Sequence, residues 1–163
     1  GEDALTGIRE RIAREFPGKP VIESRHEPSG IVAYKQCCEA PGAGDMIGRK
    51  LVCVSGIGNP AAFENVVARI TGQENPAFRF DDHHPFGVGD LSRVEDEAIR
   101  CGADYIVTTE KDAARLPGNF NPRCRWLILR VDIAIIAGGG HAEEILTLSG
   151  NLFRKAAAPY NIQ

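Results

Sequence analysis

Hydrophobic residues recur along this chain with two different periods, and the periods change places at short intervals. Between Ala4 and Phe16 the apolar positions Leu5, Ile8, Ile12 and Phe16 share one helical stripe, with Arg9, Arg11 and Arg14 off it. Pro17-Gly18-Lys19-Pro20 then ends the pattern with both kinds of breaker. Two extended runs follow, Val21–Ser24 and Ile31–Lys35, separated by the turn-prone Glu27-Pro28-Ser29-Gly30; they predict a pair of linker strands. From Lys50 onward the character changes. Leu51–Ser55 is a continuous apolar run, the mark of a strand buried on both faces, and Pro60–Ile70 puts Phe63, Val66, Val67 and Ile70 on the inner face of a helix. The alternation repeats with a short strand ending at Phe80, a helix over Asp90–Cys101 stopped by Gly102, and a strand over Tyr105–Thr108. A helical turn over Glu110–Leu116, a strand over Trp126–Val131 and a last helix over about His141–Leu148 complete it, and past Asn151 the apolar pattern is too thin to predict an element.

This order predicts an α/β fold, a mainly parallel sheet flanked by helices and preceded by a helix and two linker strands. The loose Ala40–Asp45 stretch divides the chain into residues 1–46, a helix with a two-strand linker region, and residues 47–163, an α/β lobe. At 163 residues, 43% hydrophobic and 25% charged, the chain can bury one sizeable core. A net charge of −3 without interleaved aromatic and basic residues argues against nucleic acid as a partner. The cysteines, Cys37, Cys38, Cys53, Cys101 and Cys124, are odd in number and lack a CxxC pair or a zinc-type Cys/His spacing. They are expected to be reduced, mostly structural thiols of a cytosolic protein. No stretch approaches the roughly 20 apolar residues that span a bilayer, so a soluble chain without a signal peptide is expected.

Candidate chemistry concentrates in three loops. Phe80-Asp81-Asp82-His83-His84-Pro85-Phe86 sets four ionisable side chains in a row. They cannot be packed as core without partners, which puts them at the end of an element. Ser55-Gly56-Ile57-Gly58-Asn59-Pro60 joins a buried strand to a helix, with glycines for a sharp turn, Asn59 as N-cap and Pro60 at the first helical position. Its free amides suit an anion; with Ala61 it also matches G-x-G-x-x-A, and Asp81 or Asp82 lies about 20 residues on, as in a dinucleotide site. A strand-to-helix turn that binds nothing accounts for the same residues. Thr108-Thr109-Glu110-Lys111-Asp112 follows another strand; Thr109 and Asp112 suit a capping role, whereas Lys111 near a helix start opposes the helix dipole unless an anionic group is close. In a parallel sheet all three loops emerge on one edge, where ligands bind.

The three loops together resemble the C-terminal half of the tetraacyldisaccharide 4'-kinase family, the lipid A kinases of Gram-negative bacteria. The resemblance is carried by Gly56-Ile57-Gly58-Asn59-Pro60 with Phe63, by Asp82-His83-His84-Pro85-Phe86, and by Thr108-Thr109-Glu110-Lys111-Asp112-Ala113. It implies the C-terminal lobe of a P-loop-kinase-like protein, using ATP and Mg2+ to phosphorylate the 4'-hydroxyl of tetraacyldisaccharide 1-phosphate at the cytoplasmic face of the inner membrane, where the full protein associates peripherally. His83 is the implied group for the hydroxyl proton, with Asp82 and His84 positioning it. Gly56, Gly58, Asn59, Thr109, Glu110, Lys111 and Asp112 are implied for phosphate or inter-lobe contacts, and no metal ligand is expected. The chain departs from the family in lacking G-x-x-x-x-G-K-[ST]. It is therefore expected to be inactive alone, with no cofactor bound and with lipid precursor and ATP engaged through the absent half. Two other readings fit the same residues: a metal-dependent phosphoesterase using Asp82-His83-His84, and a dinucleotide-binding module using Gly56, Gly58 and Ala61.

Overall fold

A computed structural model describes residues 2–156. The chain groups into two compact units, residues 27–132 and residues 1–26 with 133–163; the loose stretch at 40–45 lies inside the first of these.

The 27–132 unit is built around β2 (Leu51–Ser55), whose residues are all buried. Parallel pairing puts β3 (Ala77–Arg79) on one side of it and β4 (Tyr105–Thr109) on the other, with Val54 opposite Phe78 and Thr108. β5 (Trp126–Ala137) pairs parallel to β4, and β1 (Glu23–Ala33) closes the order β1-β5-β4-β2-β3. From β2 the chain crosses through α2 (Pro60–Thr71) to one neighbour, then through α3 (Val88–Cys101) back over β2 to the other. Right-handed crossovers in opposite directions must lie on opposite faces, and the core follows suit. Leu51, Cys53 and Val107 pack with Phe63, Val66 and Val67 of α2. Val52, Val54 and Ile106 pack with Leu91, Val94 and Ala98 of α3. The reversal of strand order makes the gap beyond the carboxyl ends of β2 and β4 a topological switch point, the usual place for a site in such sheets.

Local sequence explains the boundaries. Asn59 caps α2 by accepting from the Ala62 amide at 3.2 Å, Pro60 opens the helix, and Gly72 ends it in the left-handed conformation at φ 76°. α3 starts two residues before the predicted Asp90, because the Asp90 carboxylate reaches back to the Gly87 amide at 3.1 Å and so caps from inside the helix. Gly102 ends it as predicted, at φ 67°. The two extended runs at 21–24 and 31–35 are not two strands around a turn: Pro28 and Gly30 lie inside the single eleven-residue β1, and Tyr34–Gln36 form a 3-10 turn. β1 is an edge strand, where a proline can direct its missing N–H away from the ladder. β5 is twice the predicted length and α5 (Gly139–Ala156) extends past the predicted Leu148.

In the other unit, α1 (Glu2–Glu15) is the predicted amphipathic helix. None of the described side chains of residues 5–26 or 133–148 is buried. Leu5 and Ile8 of the α1 stripe, and Phe16 just after the helix, are about half exposed, at 46%, 53% and 56%. Arg9 grips Glu23 through two bonds of 2.7 and 2.6 Å, which holds the Glu23 carboxyl below its ordinary pKa. Among the described residues no helix is long and apolar enough to cross a membrane.

Candidate functional site

The three loops after β2, β3 and β4 meet at the switch point. The backbone makes the first connections: the Phe80 amide donates to the Ser55 carbonyl at 2.8 Å, and the His83 amide to the Gly56 carbonyl at 3.2 Å. Residues 81–84 form a turn closed by the His84 amide on the Asp81 carbonyl at 3.0 Å, with His83 at φ 63°. That region is uncommon for residues other than glycine, although asparagine, aspartate and histidine enter it more readily than the rest. Side chains make the second connection. Lys111, from the loop after β4, donates to Asp82 Oδ1 at 2.9 Å, and this bond pulls the Asp82 carboxyl below its ordinary pKa. His83 Nε2 stands 3.8 Å from the other oxygen, Oδ2, with the imidazole largely in solvent at 72% exposure. The same Oδ2 lies 3.6 Å from where a Cβ on Gly58 would be. One carboxylate thus bonds the lysine through one oxygen and faces the histidine with the other, beside the glycine turn.

Beneath this surface array lies a buried one. Asp112 is fully buried, and its Oδ2 accepts from the Gly56 amide at 3.1 Å and the Thr109 hydroxyl at 2.8 Å. Its own amide donates to Thr109 Oγ1 at 3.1 Å, so Thr109 caps the short α4 (Glu110–Ala113). The Asp112 Oδ1 atom pairs with Arg115, whose Nη2 also donates to the Gly56 carbonyl at 2.7 Å.

The residues predicted for one site therefore separate by role. Asp82, His83, Lys111, Gly56 and Gly58 converge. The Gly56 amide is committed to Asp112, and the Asn59 side chain to the start of α2. Glu110 turns aside to Arg130 at 2.8 Å. His84 also turns aside: its ring stacks on Phe80 with centroids 4.6 Å apart, and Nε2 meets Asp90 Oδ2 at 3.0 Å. That contact, with the Gly87 amide and Arg93, pulls the Asp90 carboxyl down to about 2. The neighbouring imidazoles of His83 and His84 thus answer to different carboxylates. Among the described residues no cluster of three or more His, Cys, Asp or Glu side chains is arranged to hold a metal ion. Sequence reasoning missed Arg115 and Asp90. The i,i+3 spacing of Asp112 and Arg115 was the available signal for the first; Asp90 was visible only as a helix start.

The class this defines is an α/β lobe of the P-loop-kinase kind, with a carboxylate, an imidazole and a lysine gathered at the switch point of a mostly parallel sheet. The family model for tetraacyldisaccharide-1-P 4'-kinase matches residues 3–149. The chain is 33% identical over 148 residues to a tetraacyldisaccharide 4'-kinase of Anaeromyxobacter sp. (strain K), covering 88% of this chain and 38% of that protein. The protein of that name from Bdellovibrio bacteriovorus is 27% identical over 150 residues, covering 90% and 42%, and that of Rhodospirillum rubrum 32% over 127 residues, covering 75% and 35%. No solved structure matches. The chain belongs to the tetraacyldisaccharide-1-P 4'-kinase family, and it spans about two fifths of the length of these relatives.

Proposed function

We propose that this chain is the C-terminal lobe of an ATP- and Mg2+-dependent kinase that phosphorylates the 4'-hydroxyl of tetraacyldisaccharide 1-phosphate, in lipid A biosynthesis at the cytoplasmic face of the inner membrane. The observation that carries the reading is the placing of the Asp82 carboxylate between Lys111, bonded at 2.9 Å, and His83, 3.8 Å away, at the switch point. Phosphoryl transfer needs positioned charge and a group to take or orient the hydroxyl proton more than it needs covalent chemistry. An imidazole has a ring nitrogen that can accept or orient a hydroxyl proton as a general base. His83 is exposed enough to meet a substrate hydroxyl, Asp82 stands beside it at 3.8 Å, and Lys111 fixes the Asp82 carboxylate in place. His84, bound to Asp90 and stacked on Phe80, fixes the far side of the same turn.

The residues present do not form a nucleotide cradle. The chain has no G-x-x-x-x-G-K-[ST], and the Gly56 amide that opens the glycine turn is already bonded to Asp112. ATP and Mg2+ supply the phosphoryl group and its charge neutralisation; this lobe contributes the acceptor side. Peripheral membrane association is likewise assigned to the longer protein, as is the binding of the lipid precursor.

Two measurements test this. In a chimera where residues 3–149 replace the matching segment of the Anaeromyxobacter relative, transfer of labelled γ-phosphate to tetraacyldisaccharide 1-phosphate is expected to fall about 10²–10⁴-fold in kcat for His83→Ala. An unchanged kcat overturns the assignment. The 163-residue chain alone is expected not to turn over ATP with Mg2+, and steady hydrolysis by it would contradict the division of labour.

A further inference from the structure

Residue 56 is gripped at both ends by one ion pair. Its N–H donates to Asp112 Oδ2 at 3.1 Å, and its carbonyl accepts from Arg115 Nη2 at 2.7 Å, while Arg115 and Asp112 are bonded to each other. That same carbonyl accepts the His83 amide at 3.2 Å. His83 is the residue of the turn at positive φ, an uncommon conformation for a residue other than glycine, so the turn's backbone partners bear on where its ring points. The chain of contacts thus runs from Asp112 through Arg115 and the Gly56 carbonyl to the backbone that aims the His83 imidazole. Each link is short, and all but the outermost are at least partly buried.

We infer that Arg115 is a positioning residue for His83: held by Asp112, it sets the Gly56 carbonyl, which holds the 81–84 turn and so points the imidazole. This rests on the reading of His83 given above, and it goes beyond it by naming how that side chain is aimed. A structural reading of Arg115 alone, as a charge that neutralises buried Asp112, leaves one feature without use. Neutralisation needs only the carboxylate, yet Nη2 reaches past it to a carbonyl in another loop. The guanidinium is also engaged through that nitrogen alone, since Nε and Nη1 are buried without a protein acceptor. One donor nitrogen serving both the Asp112 carboxylate and the Gly56 carbonyl is what the position uses, so a lysine ammonium reaching that point should replace it, whereas an uncharged methionine of similar length should not. The face of Phe86, 5.9 Å from the guanidinium carbon, is there to shield either cation.

The test separates this inference from the kinase reading. In the 163-residue chain, hydrogen exchange at the His83 amide is followed by NMR for wild type, Arg115→Lys and Arg115→Met, with the amides of Val52 and Leu127 as controls for global stability. The expected result is an increase of about tenfold or more at His83 in the methionine variant, little change in the lysine variant, and unchanged control amides. In the chimera described above, the methionine variant should lose at least tenfold in kcat with KM for the lipid acceptor nearly unchanged, and lysine should restore most of it. Unchanged His83 exchange in Arg115→Met overturns the inference, as does equal loosening of His83 and the controls, which would mark Arg115 as merely structural. If Arg115→Met does not fold, the lysine variant decides: wild-type exchange at His83 supports the single-donor role, and a tenfold rise refutes it. Loosened His83 with unchanged kcat supports the coupling and sinks the catalytic role of His83 instead.

Discussion

Exchanging Gly56 and Gly58 for alanine, one at a time, separates close loop approach from ordinary turn chemistry. Neither glycine has a positive φ, so alanine brings no backbone penalty at either position and sterics alone decide. A Cβ on residue 56 would lie 3.1 Å from the Asp81 carbonyl oxygen, 3.4 Å from the Phe86 ring and 3.5 Å from Arg115 Nη2. The first of these is backbone, tied down by the His84 amide, so it must retreat by a few tenths of an ångström and take the turn with it. Overpacking of this kind costs about 1–3 kcal/mol, offset by the roughly 0.4–1 kcal/mol that alanine contributes by restricting the unfolded chain. A net loss of about 1–2 kcal/mol is expected, a fall of roughly 2–8 °C in Tm at this size. At residue 58 the nearest atom is Asp82 Oδ2 at 3.6 Å, ordinary contact with a movable side chain. There the entropic gain of about 0.4–1 kcal/mol stands alone. Urea denaturation of the two variants should therefore move the midpoints in opposite directions. A Gly56→Ala chain as stable as wild type would mean that the Asp81 carbonyl does not sit against the turn, and the convergence of the loops would fail with it.

Glu95 is buried and accepts from the Arg123 and Cys124 amides at 2.7 and 3.1 Å, from Trp126 Nε1 at 3.2 Å and from Arg123 Nε at 3.0 Å. Glu95→Ala strands these donors and should cost about 3–5 kcal/mol in the same denaturation assay; a loss under about 0.5 kcal/mol would show that the segment reorganises without it. Asp90, held down to about 2, contributes stability that is fully present above the ordinary aspartate range and is lost as pH falls through the folded value. Thermal scans between about pH 5 and 2 should show wild type losing more Tm than Asp90→Asn, and parallel curves would refute the coupling. The exposed apolar stripe of α1 should make the isolated chain associate at high concentration, and Ile8→Glu with Phe16→Glu should reduce this in sedimentation velocity. Identical profiles would place the association elsewhere.

Where a physical constraint is local or periodic, the sequence displayed it. β2 was visible because a strand covered on both faces must be apolar throughout, and α2 because Asn59, Pro60 and the spacing of Phe63, Val66 and Val67 obey rules that operate within one element. Even Lys111 gave itself away, as a cation at a helix start that needed an anion; the anion is Asp82, 29 residues earlier. The continuity of β1 was hidden because whether Pro28 breaks a strand depends on its being at an edge, and edge position is a property of the whole sheet. The division between His83 and His84 was hidden for a related reason: it follows from a turn, with φ 63° at residue 83, that is bonded to the Gly56 carbonyl of another loop, and no side-chain pattern encodes that. Arg115 is the extreme case. It follows the fragment Glu110–Ala113 as one more charged residue, and its meaning comes from a carbonyl 59 residues away in sequence. Gly56 shows both sides at once. As a glycine after a buried strand it announced a tight turn, but what crowds a larger residue there is the carbonyl of Asp81, brought there by a different crossover. Polar contacts of long sequence separation leave no period behind, so a site assembled from three loops can be suspected from its residue types while the contacts that aim it become visible only once the strands are in order.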